Sequence, residues 1–144
     1  MLPRSPFLLR SVTYLDMAVR GRPASSTPED TMEALSGVTH LPVLGAAETR
    51  SNRVQALGVM TGLVAGVGIG ALLGAARASG WRPGLAAGSA AATVGALAGT
   101  NGPMTVLGVT DPRTWPASSW VADIVPHLAY GAVTAAVLDR LDPT

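Results

Sequence analysis

The chain lacks cysteine and lysine altogether, and it has few charged and few aromatic residues. Without cysteine it cannot form disulfides, thiolate-ligated metal sites or a cysteine nucleophile. Charged residues account for only 13% of its 144 residues and the net charge is +1, so we expect no basic surface that would bind nucleic acid. The hydrophobic fraction, by contrast, is 48%. Abundant apolar residues combined with scarce charge favour a membrane protein.

The few charges are concentrated at the beginning of the chain. Residues 1–53 contain eleven of the nineteen charged side chains, whereas the 85 residues 54–138 contain only five. Such a charge-poor stretch is where membrane-spanning helices are expected. We therefore divide the chain into a segment 1–53, with an amphipathic helix and a polar extramembrane part, and a transmembrane helical domain 54–144.

The first residues have a helical pattern without the features of a secretory signal. Leu8, Val12, Leu15 and Val19 share one face of a helix, and polar residues occupy the other. An amphipathic helix at the membrane surface is the direct interpretation. The alternative is the end of a partial membrane span.

A short polar helix is expected near residues 28–36. Its signals are Ser and Thr before Pro28, acidic residues in the first turn, and Gly37 as a stop. His40 follows in the loop, and it has no second ligand at metal-binding spacing. We interpret it as a solvated histidine.

Three apolar stretches follow, at about 54–76, 83–101 and 118–139. Each is long enough to cross a membrane as a helix. The second contains mostly Gly and Ala, so it would insert poorly without helical partners, and the sequence "NGP" at 101–103 is expected to end it. Trp115 and Trp120 lie before the third, as interfacial anchors do. We therefore predict an all-α integral membrane bundle of three transmembrane helices plus the N-terminal amphipathic or partial-span helix.

Five glycines recur at an unbroken spacing of four in the first apolar stretch: Gly58, Gly62, Gly66, Gly70 and Gly74. In lipid, a row without side chains lets two helix backbones pack closely. The row is therefore interpreted as a helix-packing zipper. Its expected partners are another subunit and the second stretch, through Gly84, Gly88, Ala92 and Ala96. A glycine-lined pore or a ligand-binding surface is the alternative.

The third apolar stretch contains Asp123, Pro126 and His127. Asp123 and His127 are four residues apart and share one helix face, so the carboxylate can bond the imidazole, and Pro126 should kink the helix beside them. Ionisable groups inside a bilayer are costly and usually have a role. The pair is interpreted as a packed polar contact between helices or, alternatively, as a proton or ligand site. Two ligands are too few to predict a metal.

Several phrases resemble a group of small actinobacterial multi-pass membrane proteins that have no assigned function. They are "VTYLDMAVRGRPASSTPEDTMEAL", "NGPMTVLGVTDPRTWPASSWVADIVPHLAYG" and the glycine-rich helix. The resemblance covers nearly everything from Ser11 onward and implies membrane location without implying an activity. In that group an apolar run precedes "VTYLDMAVRGRP" and completes a further span, whereas "MLPRSPFLLR" stands here. Either the start codon is placed too late or half a helix has been lost, so the chain has three or four spans.

Two function classes follow from these observations. The first is a structural or accessory protein of the cell (inner or plasma) membrane, with the bilayer and a homo-oligomer or another membrane protein as partners. The second is a small transporter or channel-like protein that uses Asp123 and His127. No nucleophile, metal set or cofactor motif is present, so we predict no enzyme and no cofactor. The arginines near the span ends favour a cytoplasmic 20–53 segment.

Overall fold

A computed structural model of the chain describes residues 17–19, 21 and 25–141. Residues 17–19 are helical, and apart from a 3-10 turn the regular elements of residues 25–141 are four α-helices: α1 (Thr27–Thr39), α2 (Ala47–Ala78), α3 (Leu85–Val106) and α4 (Ala117–Leu141). The turn, Pro112–Thr114, lies between α3 and α4. These described segments contain no strand, and the all-α prediction is confirmed for them. The amphipathic pattern from Leu8 to Val19 lies outside the described residues except at its end.

Helix α1 begins where its sequence signals place it, but it ends later than expected. Pro28 occupies the first turn, and the Ser26 hydroxyl donates a hydrogen bond of 2.9 Å to Asp30. The helix continues through Gly37, so the prediction that this glycine stops it is wrong. The chain leaves the helix at His40, which has a φ of 56° and takes the left-handed conformation that closes many helices.

Helix α2 is longer than the apolar stretch from which it was predicted. It has 32 residues, about 48 Å at 1.5 Å per residue, and it starts at Ala47 in a charged sequence. Helix α1 folds back against this first part, and the two helices approach so closely that a Cβ at Gly58 would lie 2.8 Å from the backbone of Pro28. Together they form an antiparallel hairpin.

Helices α3 and α4 form a second antiparallel hairpin and the most extensive helix contact in the described residues. Their backbones approach at Gly131, where an added Cβ would lie 2.5 Å from the backbone oxygen of Ser89. The buried cluster consists of Ala92, Ala96 and Tyr130. Two of these three residues are alanines, so the contact depends on close packing of the α3 and α4 backbones.

Helix α2 packs on the second hairpin, parallel to α4. Its Ile69 side chain lies 3.3 Å from the position of a Cβ at Gly95 in α3. Ile69 and Leu73 both pack on the buried cluster of the hairpin. Helix α2 therefore joins the two hairpins of the fold.

Helix α3 continues past the position where the sequence predicts its end. Pro103 lies inside the helix, which ends at Val106, and the nitrogen of Leu107 donates to the Pro103 carbonyl at 2.9 Å. The prediction that Asn101, Gly102 and Pro103 end the helix is therefore wrong. A proline removes a single helical hydrogen bond, and here that loss falls in the last turns, where the helix tolerates it.

In the part of the chain that the structure describes, two helices, not the three expected from the sequence, are by themselves long and apolar enough to cross a membrane. They are α2, with a mean hydropathy of 2.0, and α4, with 1.5. Helix α3 has sufficient length, but Gly, Ser, Thr and Asn take the place of large apolar residues along it. Its composition therefore does not support a span when the helix is considered alone.

Candidate functional site

The two ionisable residues predicted inside α4 belong to a polar cluster between α3 and α4. Asp123 and His127 come from the first half of α4, and Thr100 and Asn101 come from the second half of α3. Because the two helices run antiparallel, these halves lie side by side.

Asp123 and His127 share a helix face, but their main contact differs from the expected one. Nδ1 of His127 lies 2.7 Å from the backbone oxygen of Asp123 and 3.6 Å from its carboxylate. The carboxylate instead accepts a 2.7 Å hydrogen bond from the side-chain amide of Asn101. The strongest polar contact of Asp123 therefore joins two helices rather than two turns of one helix.

Two threonines of α3 complete the cluster. The Thr100 hydroxyl oxygen lies 3.3 Å from Nε2 of His127 and 2.9 Å from the backbone oxygen of Ala96. The Thr93 hydroxyl lies 3.3 Å from the backbone oxygen of His127. Both edges of the imidazole are thus in contact with polar atoms, which fixes the orientation of the ring.

The cluster is mostly shielded from solvent. The side chain of His127 is 13% exposed and that of Asp123 is 20% exposed. Within residues 25–141 no group of three His, Asp or Glu side chains is arranged to hold a metal ion. The arrangement can tie two helices together and bind a proton, and it contains no nucleophile next to a base.

Sequence reasoning did not identify Thr100 and Asn101 as site residues. The local sequence identifies Asn101 only as part of a helix stop, and this interpretation does not predict its position beside Asp123 in the antiparallel hairpin. The available signal was the order of the stretches: consecutive neighbouring helices tend to run antiparallel, so the end of the second apolar stretch is expected at the level where the third begins, although this does not give the residue opposite Asp123.

The glycines of the α2 row have different surroundings. Gly58 contacts α1, no atom lies within 4 Å of a Cβ built at Gly62, and Gly74 faces Leu138 of α4 at 3.7 Å. Gly66 and Gly70 face the ring and the hydroxyl of Tyr130 at 3.6 and 3.9 Å.

Within the chain, the side chains nearest to Gly66, Gly70 and Gly74 therefore belong to α4. The more extensive helix contact of α2 in this part of the fold is nevertheless with α3, the second apolar stretch, through Ile69 beside Gly95. The proposed α3 positions are placed elsewhere: a Cβ at Gly84 would have no neighbour within 4 Å, and one at Gly88 would face Ala135 of α4 at 3.4 Å. Ala92 and Ala96 belong to the buried cluster. The glycine row faces side chains of α4 because Tyr130 and Leu138 project from α4 into the groove that the missing side chains of the row leave open.

Tyr130 joins α4 to α2. It is 3% exposed, and its hydroxyl donates to the backbone oxygen of Gly66. The absence of side chains at Gly66 and Gly70 makes room for the ring. Gly66 and Gly70 thus leave the space on α2 in which this aromatic side chain packs.

A charged pair lies at the opposite end of the bundle. Arg77 ends α2 with a side chain that is 6% exposed, and its Nη2 lies 3.4 Å from the carboxylate of Asp139, which is 54% exposed.

The first hairpin has an ion pair of its own. Arg50 of α2 donates through two guanidinium nitrogens to the Glu33 carboxylate of α1. These hydrogen bonds lower the pKa of Glu33. The pair is solvent-exposed, so it favours one position of α1 on α2 but adds little to the stability of the hairpin.

In comparisons with known proteins, no family model matches the chain, and no curated protein or solved structure is significantly similar to it.

Proposed function

We propose that the chain is an integral membrane protein with three spans and a structural or accessory role, which assembles through the small-residue faces of its helices. One observation carries this proposal. Of the most apolar window of α2, with a mean hydropathy of 2.0, only 6% is buried within the protein. A core helix of a water-soluble protein would be largely covered, so this surface is suited to lipid or to other helices.

Contact with α4 supports a third span despite the poor hydropathy of α3. The two helices touch along most of their length, from Gly88 beside Ala135 to Asn101 beside Asp123. If α4 crosses a bilayer, a helix packed along it must cross the same layer. Helix α3 has 22 residues, about 33 Å, which matches a hydrocarbon thickness of about 30 Å.

The positions of the charged residues agree with a bilayer of ordinary thickness. Along α2, Gly58 lies about 28 Å from the ion-paired Arg77. The first turns of α2, which carry the charges, and α1 beside them would then lie outside the membrane. Trp120 in the first turn of the parallel helix α4 and Trp115 just before that helix would lie near this boundary, with ring centroids 5.2 Å apart.

Two uncovered small-residue surfaces support assembly with another copy or another membrane protein. One is Gly62, the member of the α2 row whose Cβ position has no neighbour within 4 Å. The other is the outer face of α3, where Ala86, Ala90, Val94 and Ala98 are all exposed at a spacing of four. Small residues give lipid little apolar contact, and in membranes they favour close helix packing.

Membrane integration is tested by extraction. We expect the protein to remain in the cell-membrane fraction after washing with alkaline carbonate and with high salt, because apolar spans and not charges hold it. Release into the supernatant by either wash would contradict the proposal.

Assembly is tested with single cysteines, which is straightforward because the chain has none. We expect Gly62→Cys to form disulfide-linked dimers in membranes under mild oxidation. Val64→Cys is the matched control, because Val64 is 70% exposed on a side of α2 that we assign to lipid. Equal cross-linking at both positions, or at neither, would count against assembly through the glycine row.

The polar cluster of α3 and α4 favours a second candidate function, a small transporter or channel-like protein. Ionisable side chains at membrane depth often belong to proton or ion pathways. This candidate predicts flux in proteoliposomes that is lost in His127→Ala. The first candidate predicts no flux, with His127→Gln retaining normal assembly.

A further inference from the structure

A cleft lies between α1 and the part of α2 that precedes Gly58. Its volume is about 400 Å³, which is within the range of small-molecule binding sites. Glu29, Asp30 and Glu33 of α1 line one wall, and Arg50 of α2 is the one basic side chain among the described residues that line the cleft. Three carboxylates and one guanidinium give the walls a formal charge of −2. The charge of the cleft therefore favours a cationic ligand.

The three carboxylates of the cleft differ in their partners. Glu33 accepts hydrogen bonds from Arg50, and Asp30 accepts one of 2.9 Å from the Ser26 hydroxyl. Oε2 of Glu29 is buried, and no group in the described residues donates a hydrogen bond to it. Because a buried carboxylate oxygen is costly without a donor, this oxygen favours a ligand that brings one.

The opposite wall of the cleft is formed by one face of α2. Ala47, Ser51 and Val54 follow the spacing of a helix face, and Val54 is only 4% exposed. Two of these three side chains are apolar, so this wall can pack against methylene groups. A ligand that uses both walls has a cationic head for Glu29 and an aliphatic stem for Val54.

The number of free acceptors selects among cationic heads. Within the described residues, the acidic side chains do not form a group that could hold a metal ion. A guanidinium is planar and pairs best with both oxygens of one carboxylate, whereas the unpartnered acceptor of Glu29 is a single oxygen. A primary ammonium is compact and carries three donors, so it can bond this oxygen and still face water with the others. A quaternary ammonium has no N–H and would leave the oxygen without a donor.

We propose that the cleft between α1 and α2 binds a primary ammonium group carried on a short aliphatic stem. The ammonium donates to Oε2 of Glu29, and the stem packs on Val54. The ion pair of Glu33 and Arg50 joins the two walls beside the ligand. The inference concerns the first hairpin and does not rest on the proposed role in a membrane.

Two sources can supply such a group: a free aliphatic amine, or the headgroup of an ethanolamine phospholipid. Val54 precedes Gly58 by four residues, about 6 Å along α2. In the proposed membrane placement the cleft would lie in the headgroup layer, which adds about 5–7 Å on each side of the hydrocarbon. Experiments without and with lipid distinguish the two sources.

A free amine is tested on the full chain in lipid-free nonionic detergent, by NMR titration with butylammonium chloride at constant ionic strength. We expect saturable shifts of the Glu29 and Val54 amide signals. Tetramethylammonium is the matched control ligand, because it has the same charge and no N–H donor, and it should give no saturable shift. Absence of butylammonium binding, or equal binding of the two cations, would overturn the proposal.

A pair of variants tests whether Glu29 holds the ammonium. Glu29→Gln keeps the size of the side chain and removes its charge, so the affinity for butylammonium should fall by about tenfold or more. Glu48→Gln is the matched control, because it makes the same change of charge at an exposed carboxylate in the first turn of α2, away from the cleft walls. Equal weakening in both variants would show general attraction by negative charge and would refute the site.

The lipid source is tested by native mass spectrometry of the protein released from micelles that contain equal amounts of phosphatidylethanolamine and phosphatidylcholine. The two headgroups differ only in the methyl groups on the nitrogen. Preferential retention of phosphatidylethanolamine that is lost in Glu29→Gln would identify the lipid headgroup as the ligand. Equal retention of the two lipids, together with butylammonium binding, would identify a free amine.

Discussion

Replacing Gly131 by alanine tests the closest helix contact in the molecule. A Cβ at this position would lie 2.1 Å from the Thr93 hydroxyl oxygen, 2.5 Å from the Ser89 backbone oxygen and 3.0 Å from the Thr93 nitrogen. The hydroxyl can rotate away, but the backbone atoms cannot. To reach an ordinary contact of about 3.4 Å with the Ser89 oxygen, α3 and α4 must separate by roughly 0.9 Å.

The expected cost follows from this separation. Overpacking a well-packed contact costs about 1–3 kcal/mol, and the upper value applies because backbone atoms block the methyl group. Alanine recovers about 1 kcal/mol through its higher helix propensity, so the net loss should be about 2 kcal/mol. Gly68→Ala is the control, because Gly68 lies outside the glycine row of α2, its Cβ would have no neighbour within 4 Å, and only the gain in propensity remains.

Denaturation by sodium dodecyl sulfate in mixed micelles, followed by tryptophan fluorescence, measures both variants. Gly131→Ala should be less stable than Gly68→Ala by about 3 kcal/mol, the overpacking cost that the control avoids. Equal stability of the two variants would show that the backbones of α3 and α4 are not in close contact, and it would refute the reasoning.

Three further predictions concern the other contacts. Gly58→Ala should displace α1, because its Cβ would lie 2.8 Å from the α1 backbone. A fluorophore on a cysteine introduced at Ser36 of α1 should then gain mobility, and unchanged fluorescence anisotropy would contradict the contact. Tyr130→Phe should lose its hydrogen bond to α2 and about 1 kcal/mol in the same micelle denaturation, whereas an unchanged midpoint would mean that the bond contributes nothing. Hydrogen bonding to Arg50 lowers the pKa of Glu33 below its ordinary value of 4.5, so this pair supports α1 docking at neutral pH and loses effect as the pH falls through that lowered value. The Ser36 label should report that release in the wild type, and a Glu33→Gln variant should lack this acid-dependent step.

The helical class could be predicted from the sequence because long apolar runs between charged segments have few other solutions. Helix ends were harder to predict. Gly37 and Pro103 are both strong local stop signals, yet α1 and α3 continue past them. In each case the cost of continuing is a single residue's propensity or one hydrogen bond, and packing against a neighbouring helix can offset it.

The candidate site could be predicted only in part, for a related reason. The spacing of Asp123 and His127 places them on one face, and the structure has them there. Which atoms they bond depends on the register between α3 and α4, and that register is set by the close approach at Gly131. Local sequence carries no information on such a register, so the contact with Asn101 could not be derived from the pattern of α4 alone.

Helix α4 has two polar levels, and in the proposed membrane placement their separation decides which one would lie inside the hydrocarbon. Asp123 and Asp139 are about 24 Å apart along the helix, less than the thickness of about 30 Å that a bilayer core requires. Both levels therefore could not lie at the boundary. The Asp139 carboxylate is 54% exposed, so it would lie at the water boundary, with the Asp123 level about 6 Å inside and His127 about 12 Å inside. This inner level is also the one whose polar side chains bond each other across α3 and α4, as a low-dielectric environment demands. In that placement the hydrogen bonds of the cluster and the packing of α3 against α4 would have a common cause, because polar groups at that depth are tolerated only where a second helix supplies their partners.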